Sequence, residues 1–144
     1  MIYKYALTFA LPLLFFASCA GQKINYNVKE PPAAFAQGLE KTTMFYGVYK
    51  DDLQFRVIAV TDKDGVRVII MNDMGSKLQD MKITKENGSD IYFIAGFMPK
   101  NTIEEFESFF RQYFIDKSQD NVKVINNRIY FYSGDEPILW VGKI

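Results

Sequence analysis

The sequence predicts an α+β domain: a curved antiparallel β-sheet, a half-barrel-like meander of hairpins, with one amphipathic helix packed on it. Three features point there. From Thr43 to Phe97, short apolar runs rich in β-branched and aromatic residues follow one another. Turn residues punctuate these runs at Asp62-Lys-Asp-Gly65, Asn72-Asp-Met-Gly75 and Glu86-Asn-Gly88. Asp-Gly and Asn-Gly pairs tolerate the positive φ that tight hairpins require. After Gly96-Phe-Met-Pro99 the apolar spacing becomes helical, which supplies a single helix to lie on the sheet.

Taken in order, Thr43-Met-Phe-Tyr-Gly-Val-Tyr49 is a first strand closed by Asp51-Asp52. In the next, Leu53, Phe55, Val57 and Ala59 share one side, and Gln54, Arg56, Ile58 and Val60 the other. Val66, Val68 and Ile70 face away from Arg67, Ile69 and Met71. Ser76–Ile83 forms a fourth strand, and in a fifth Ile91, Phe93 and Ala95 oppose Tyr92 and Ile94. A sheet with one wet face alternates cleanly. These strands are apolar on both sides at one end, so burial of both faces is expected. Either the chain's own residues supply it, or one face curls around an apolar cavity.

Asn101-Thr102 opens the helix. Thr102 with Glu105 forms a capping-box pattern, and Glu104 and Glu105 suit the positive end of the helix. Ile103, Phe106, Phe109, Phe110, Tyr113 and Phe114 make one broad aromatic face, and Lys117 lies near the C-terminal end. Asn121–Ile125, the Asn126-Asn127 turn and Arg128–Tyr132 read as a further hairpin. Asp135-Glu-Pro137 breaks the chain before a last strand, Ile138–Ile144.

Composition bounds the chemistry. The 144 residues carry 17 basic and 17 acidic groups, no His and one Cys. Without His, and with a single thiol, no His/Cys metal cluster, Cys-His pair or serine triad can form. A neutral chain lacks the clustered positive field that nucleic acid requires. The acids at Asp51, Asp52, Asp62 and Asp64 sit in turns, where carboxylates serve as turn formers. No catalytic residue, cofactor or metal is therefore expected, and the protein is read as a non-enzyme.

At the N-terminus, Lys4 precedes an apolar run, Ala6–Ala17, interrupted by Pro12. The run is too short to cross a bilayer core of about 30 Å as a mature helix and fits the core of a signal peptide. It ends in Phe16-Ala-Ser-Cys19, which resembles the lipobox of bacterial lipoproteins, with Phe16 where Leu is usual. The alternative is an ordinary secretory signal followed by an incidental cysteine. The resemblance implies cleavage after Phe16, Ala17 and Ser18, and diacylglycerol attachment plus a further acyl chain such as palmitate at Cys19. Ala20 after the cysteine implies an outer-membrane destination, lipid-anchored and facing the periplasm. The organisation expected is a signal peptide at 1–18, a lipidated N-terminus and tether at 19–41, and one domain at 42–144. Removal of 1–18 takes away Lys4 and no acid, which leaves a formal charge of −1. Within the tether, Gly21–Pro32 reads as an extended linker, and Ala33–Lys41 as a short helical turn.

Phe55-Arg-Val-Ile-Ala-Val60 and Gly65–Leu78, with Pro99 and a helix at Thr102–Ile115 after the meander, resemble the LolA/LolB-like superfamily of bacterial lipoprotein carriers and receptors. The likeness spans roughly residues 40–144. It implies a half-barrel with a helix over its open side, enclosing a cavity for acyl chains. Phe55, Val57, Val68 and Ile70 are the candidate ligand contacts in such a cavity. Phe97 and Met98 are candidates for an exposed apolar loop. The expected function is that of a membrane-anchored lipoprotein binding acyl chains or lipoproteins, in outer-membrane lipoprotein or lipid trafficking. The alternative is a structural or scaffolding envelope lipoprotein with no small ligand.

Overall fold

The computed structural model describes residues 26–31, 41–86, 88–117 and 120–144. Phe16, Ala17, Ser18, Cys19 and the expected helical turn before Lys41 lie outside them. Five strands form the first meander: β1 (Lys41–Tyr49), β2 (Leu53–Thr61), β3 (Gly65–Asn72), β4 (Lys77–Thr84) and β5 (Ser89–Ile94). The helix α1 (Lys100–Arg111) runs on into a π-helical turn (Gln112–Asp116). Three strands follow: β6 (Val122–Ile125), β7 (Arg128–Ser133) and β8 (Glu136–Lys143). All pairings are antiparallel, in one open eight-stranded sheet of order β5-β4-β3-β2-β1-β8-β7-β6. The first and last strands are thus central neighbours, with Gly47 opposite Val141.

The turns follow the backbone chemistry of their residues. Asn126 and Asn127 sit at φ 51° and 64°, the two-residue hairpin that joins β6 to β7. Gly75 and Gly88 take φ 85° and 100°. Gly65 differs from the expected positive-φ turn glycine. Its φ is not positive, and its small size is needed because a Cβ there would lie 2.0 Å from the Ile83 carbonyl oxygen. Pro137 does not break the chain before β8. It lies inside that strand at a register shift opposite Tyr132, where a missing N–H is tolerated.

One face of the sheet carries the core. Phe45, Phe55, Phe106, Phe109 and Phe110 are at most 1% exposed. Phe106 packs edge-on against Phe55, with ring centroids 5.1 Å apart, and lies 5.3 Å from Tyr49. Phe109 meets Phe131 at 5.6 Å, which ties the helix to the second half of the sheet. Each such side chain contributes about 1.5–3 kcal/mol by leaving water.

One expectation fails here and a second holds in part. The helix begins at Lys100, with Pro99 as N-cap and no side-chain cap, so the Thr102–Glu105 capping box does not form. The phase that buries Ile103 and Phe106 also carries Thr102 inward, where its hydroxyl bonds the Tyr49 hydroxyl at 3.2 Å. Glu105 instead accepts the Tyr49 phenol proton and lies 3.9 Å from Lys50. Burial is also heavier on the face under α1: on the other face Val60 and Asp80 are buried, but Ile58, Ile69 and Met71 are only half-buried and Met44, Tyr46 and Phe93 are exposed.

The segment before the sheet does more than span a gap. Val28 forms a parallel bridge with Ile91, the Lys29 amide donates to the Ile91 carbonyl at 2.7 Å, and Lys29 pairs with Asp90 at 2.5 Å. It thereby covers the β5 edge, where unpaired backbone groups would otherwise face water.

Candidate functional site

The open face is set by strand register. One row of outward positions crosses seven strands: Ile125, Arg128, Gly142, Tyr46, Arg56, Met71 and Lys77. A neighbouring row runs Lys123, Tyr130, Trp140, Val48 and Gln54, and another Met44, Ile58, Ile69, Asp80 and Phe93. Cations are interleaved with aromatic and aliphatic side chains along these rows, and Met44, Tyr46, Phe93 and Ile125 are exposed.

The aromatic side chains are held by specific contacts. Tyr46 meets Trp140 edge-on at 5.7 Å, and a Cβ on Gly142 would come within 2.9 Å of the Tyr46 ring. The Arg128 guanidinium lies 3.9 Å from the Trp140 ring centre and Lys123 4.8 Å from that of Tyr132, both cation–π distances. At the other end of the face, Asp80 is 1% exposed and accepts from Arg67 at 2.9 and 3.0 Å and from Lys77 at 3.2 Å. The Arg67 guanidinium also lies over Tyr92 at 5.1 Å. The Asp80 hydrogen bonds, and then its charge, hold the Arg67 pKa above its ordinary value against the opposing effect of burial.

Two acids on this face are already committed, and a third, Asp73, lines a recess with Tyr46, Arg56 and Trp140. Asp80 is held by Arg67 and Lys77, and Asp90 by Lys29. Arg56, Arg128 and Lys123 pair with no carboxylate among the described residues. Along α1 stand Glu104, Glu105 and Glu107, of which Glu104 pairs with Lys100 and Glu107 with Arg111.

On the helix side, beyond α1, the π-helical turn and the strand ends enclose a recess of about 670 Å³. Tyr113, Phe114 and Ile115 form its apolar wall, and Lys41, Lys85, Lys117 and Lys143 stand around it. Lys117 ends the helix in a left-handed conformation at φ 50°. The acid of the lining, Asp62, pairs with Lys82 at 2.7 Å and accepts from the Asp64 and Gly65 amides. Burial pushes the Asp62 pKa up, but Lys82 and the two amides outweigh it and the net shift is downward.

The candidate contacts drawn from the sequence fall apart in space. Phe55, Val57, Val68 and Ile70 come together on the helix-facing side, at most 1% exposed within the core. Met98 is also buried there. Phe97 is 75% exposed, in the turn between β5 and α1. The four turn acids do not converge: Asp51 and Asp52 follow β1, whereas Asp62 and Asp64 lie between β2 and β3. No cluster of three or more His, Cys, Asp or Glu side chains suited to a metal occurs among the described residues. No helix among them is long and apolar enough to cross a membrane. The Tyr46–Trp140–Arg128 group escapes a reading of the sequence because its members meet only through the β1–β8–β7 pairing. The available signal is the period-two placement of Tyr130, Tyr132 and Trp140 beside Arg128.

These features define an open antiparallel sheet with a packed helix on one face and an aromatic, cationic second face. Compared with protein-family models, curated proteins and solved structures, the chain matches none.

Proposed function

We propose that the chain is a non-enzymatic cell-envelope lipoprotein. Acylated at Cys19, it is held at the periplasmic side of the outer membrane and works by docking through the open face of its sheet. In this reading the sheet curls as a half-barrel about α1, whose rings occupy the concave side. The observation that carries it is the division of the two faces: one filled by Phe45, Phe55, Phe106, Phe109 and Phe110, the other presenting aromatic and basic side chains to water. Exposed apolar area of this kind marks contact surfaces. A photo-cross-linking residue at Tyr46 in intact cells should give an adduct, and the same group at Glu104 on the helix should not. Adducts at Glu104 alone would reverse the assignment of faces.

A second reading has support from the recess at the end of α1, where an acyl chain lying on Tyr113, Phe114 and Ile115 would place an acidic head among the lysines. Its volume lies within the range of about 300–1,000 Å³ typical of small-molecule sites. Binding of a fluorescent fatty acid that is lost in Phe114→Ala would favour this reading. Absence of binding would remove it.

A further inference from the structure

We infer that the open face docks on an anionic phospholipid surface; the inference rests on the docking reading and names its partner. The first argument is charge. Along the rows of this face stand Arg56, Arg67, Lys77, Lys82, Lys123 and Arg128, against Asp80, Asp90 and, beside Arg56, Asp73, while Lys82 pairs with Asp62. Asp80 and Asp90 are held in salt bridges, and Arg56, Lys123 and Arg128 form none among the described residues. Basic residues beside an anionic leaflet contribute about 1 kcal/mol each, within a screening length of about 10 Å.

The second argument is the kind of apolar side chain. Trp140, Tyr46, Tyr130 and Tyr132 present amphipathic rings, the type enriched where bilayer meets water. Here Arg56 and Arg128 sit mid-row, flanking Tyr46. That mixture suits headgroups, which offer phosphate to the cations and a half-wet layer to the rings.

The third argument is reach. With acylation at Cys19, seven residues separate the lipid from Tyr26. At about 3.3–3.6 Å per extended residue they span at most about 25 Å. Tyr26 packs against the domain core and Val28 bridges β5. The domain is therefore held close enough to the bilayer to touch it.

Trp140 is the only tryptophan in the chain and lies on this face, so its fluorescence reads docking directly. The full lipidated protein would be reconstituted into phosphatidylglycerol-containing vesicles and into phosphatidylcholine vesicles, each with brominated acyl chains. Docking predicts a blue-shifted, quenched Trp140 in the first and much weaker quenching in the second, reversed by high salt. Arg56→Gln with Lys123→Gln should lower the docked-to-free ratio about thirtyfold, about fivefold per cation. Water-like Trp140 emission in both vesicles overturns the inference, as does equal quenching in both that the double variant leaves unchanged. Should emission stay water-like while the Tyr46 cross-linker captures a protein in cells, docking survives and the lipid partner falls. Should neither signal appear, both fall.

Discussion

Phe106→Ala distinguishes a packed concave side from a ligand cavity. Phe106 is fully buried, with Phe55 at 5.1 Å and Tyr49 at 5.3 Å. Its truncation removes apolar burial and leaves a void that the sheet cannot collapse to fill, because Phe55 and Tyr49 are fixed by strand register. Losses of about 3–5 kcal/mol are typical of such changes. Against a total stability of about 5–15 kcal/mol, that is a large fraction. For a domain of this size each kcal/mol moves the melting temperature by about 3–5 °C, so a fall of about 10–20 °C is expected. Thermal unfolding in a mild non-ionic detergent, followed by far-ultraviolet circular dichroism, measures it. A side chain lining a ligand-filled or open space loses few packed neighbours on truncation. A shift below about 3 °C would therefore refute the packed interior, and an increase in fatty-acid binding by the variant would point to a vacated ligand site.

Further outcomes follow from the polar contacts and the glycines. Arg67→Met leaves Asp80 buried with the half-exposed Lys77 for its salt bridge and should cost toward the lower end of about 3–5 kcal/mol by urea unfolding. Gly65→Ala puts a methyl 2.0 Å from the Ile83 carbonyl oxygen, must open the β3–β4 pairing, and should cost about 1–3 kcal/mol in the same assay. Because the Asp62 pKa is lowered in the fold, its contribution is present above the ordinary carboxylate range and is lost as pH falls through the depressed folded value. Asp62→Asn should accordingly destabilise the protein at neutral pH and flatten the acid limb of its stability profile. Tyr49, whose pKa burial and then the Glu105 hydrogen bond raise, should lose its contribution only as pH climbs above 10. In Tyr49→Phe that alkaline step in stability should be smaller.

The meander was legible because its signals are local. Period-two apolar runs between Gly and Asn turns locate β1 to β5, and the Phe106–Phe109–Phe110 spacing locates α1. What the sequence left hidden depends on contacts between distant segments. Nothing near Ile138 announces that β8 returns to pair with β1, although that pairing creates the Tyr46–Trp140 contact and closes over Gly47. Thr102 satisfies a local capping rule, but Tyr49 offers its hydroxyl from a strand more than fifty residues away. The apolar residues on both sides of β2 and β3 suggest two-sided burial. Ile58, Ile69 and Met71 instead lie half-exposed among neighbours on the same face, an arrangement a single strand's pattern cannot distinguish from burial. Phe55, Val57, Val68 and Ile70 show the converse: their side of the sheet is evident from alternation, but only the helix register shows that rings occupy it.

The central claim is that the face bearing Tyr46 is the one engaged in the cell. Cys19 is the chain's single thiol, and acylation would consume it, so an introduced cysteine becomes the only reactive one. Native membranes carrying Tyr46→Cys or Glu104→Cys would be treated with a water-soluble maleimide, before and after detergent extraction. The account predicts full labelling at Glu104→Cys throughout, and protection of Tyr46→Cys that detergent abolishes. Equal labelling at both positions in intact membranes would contradict it.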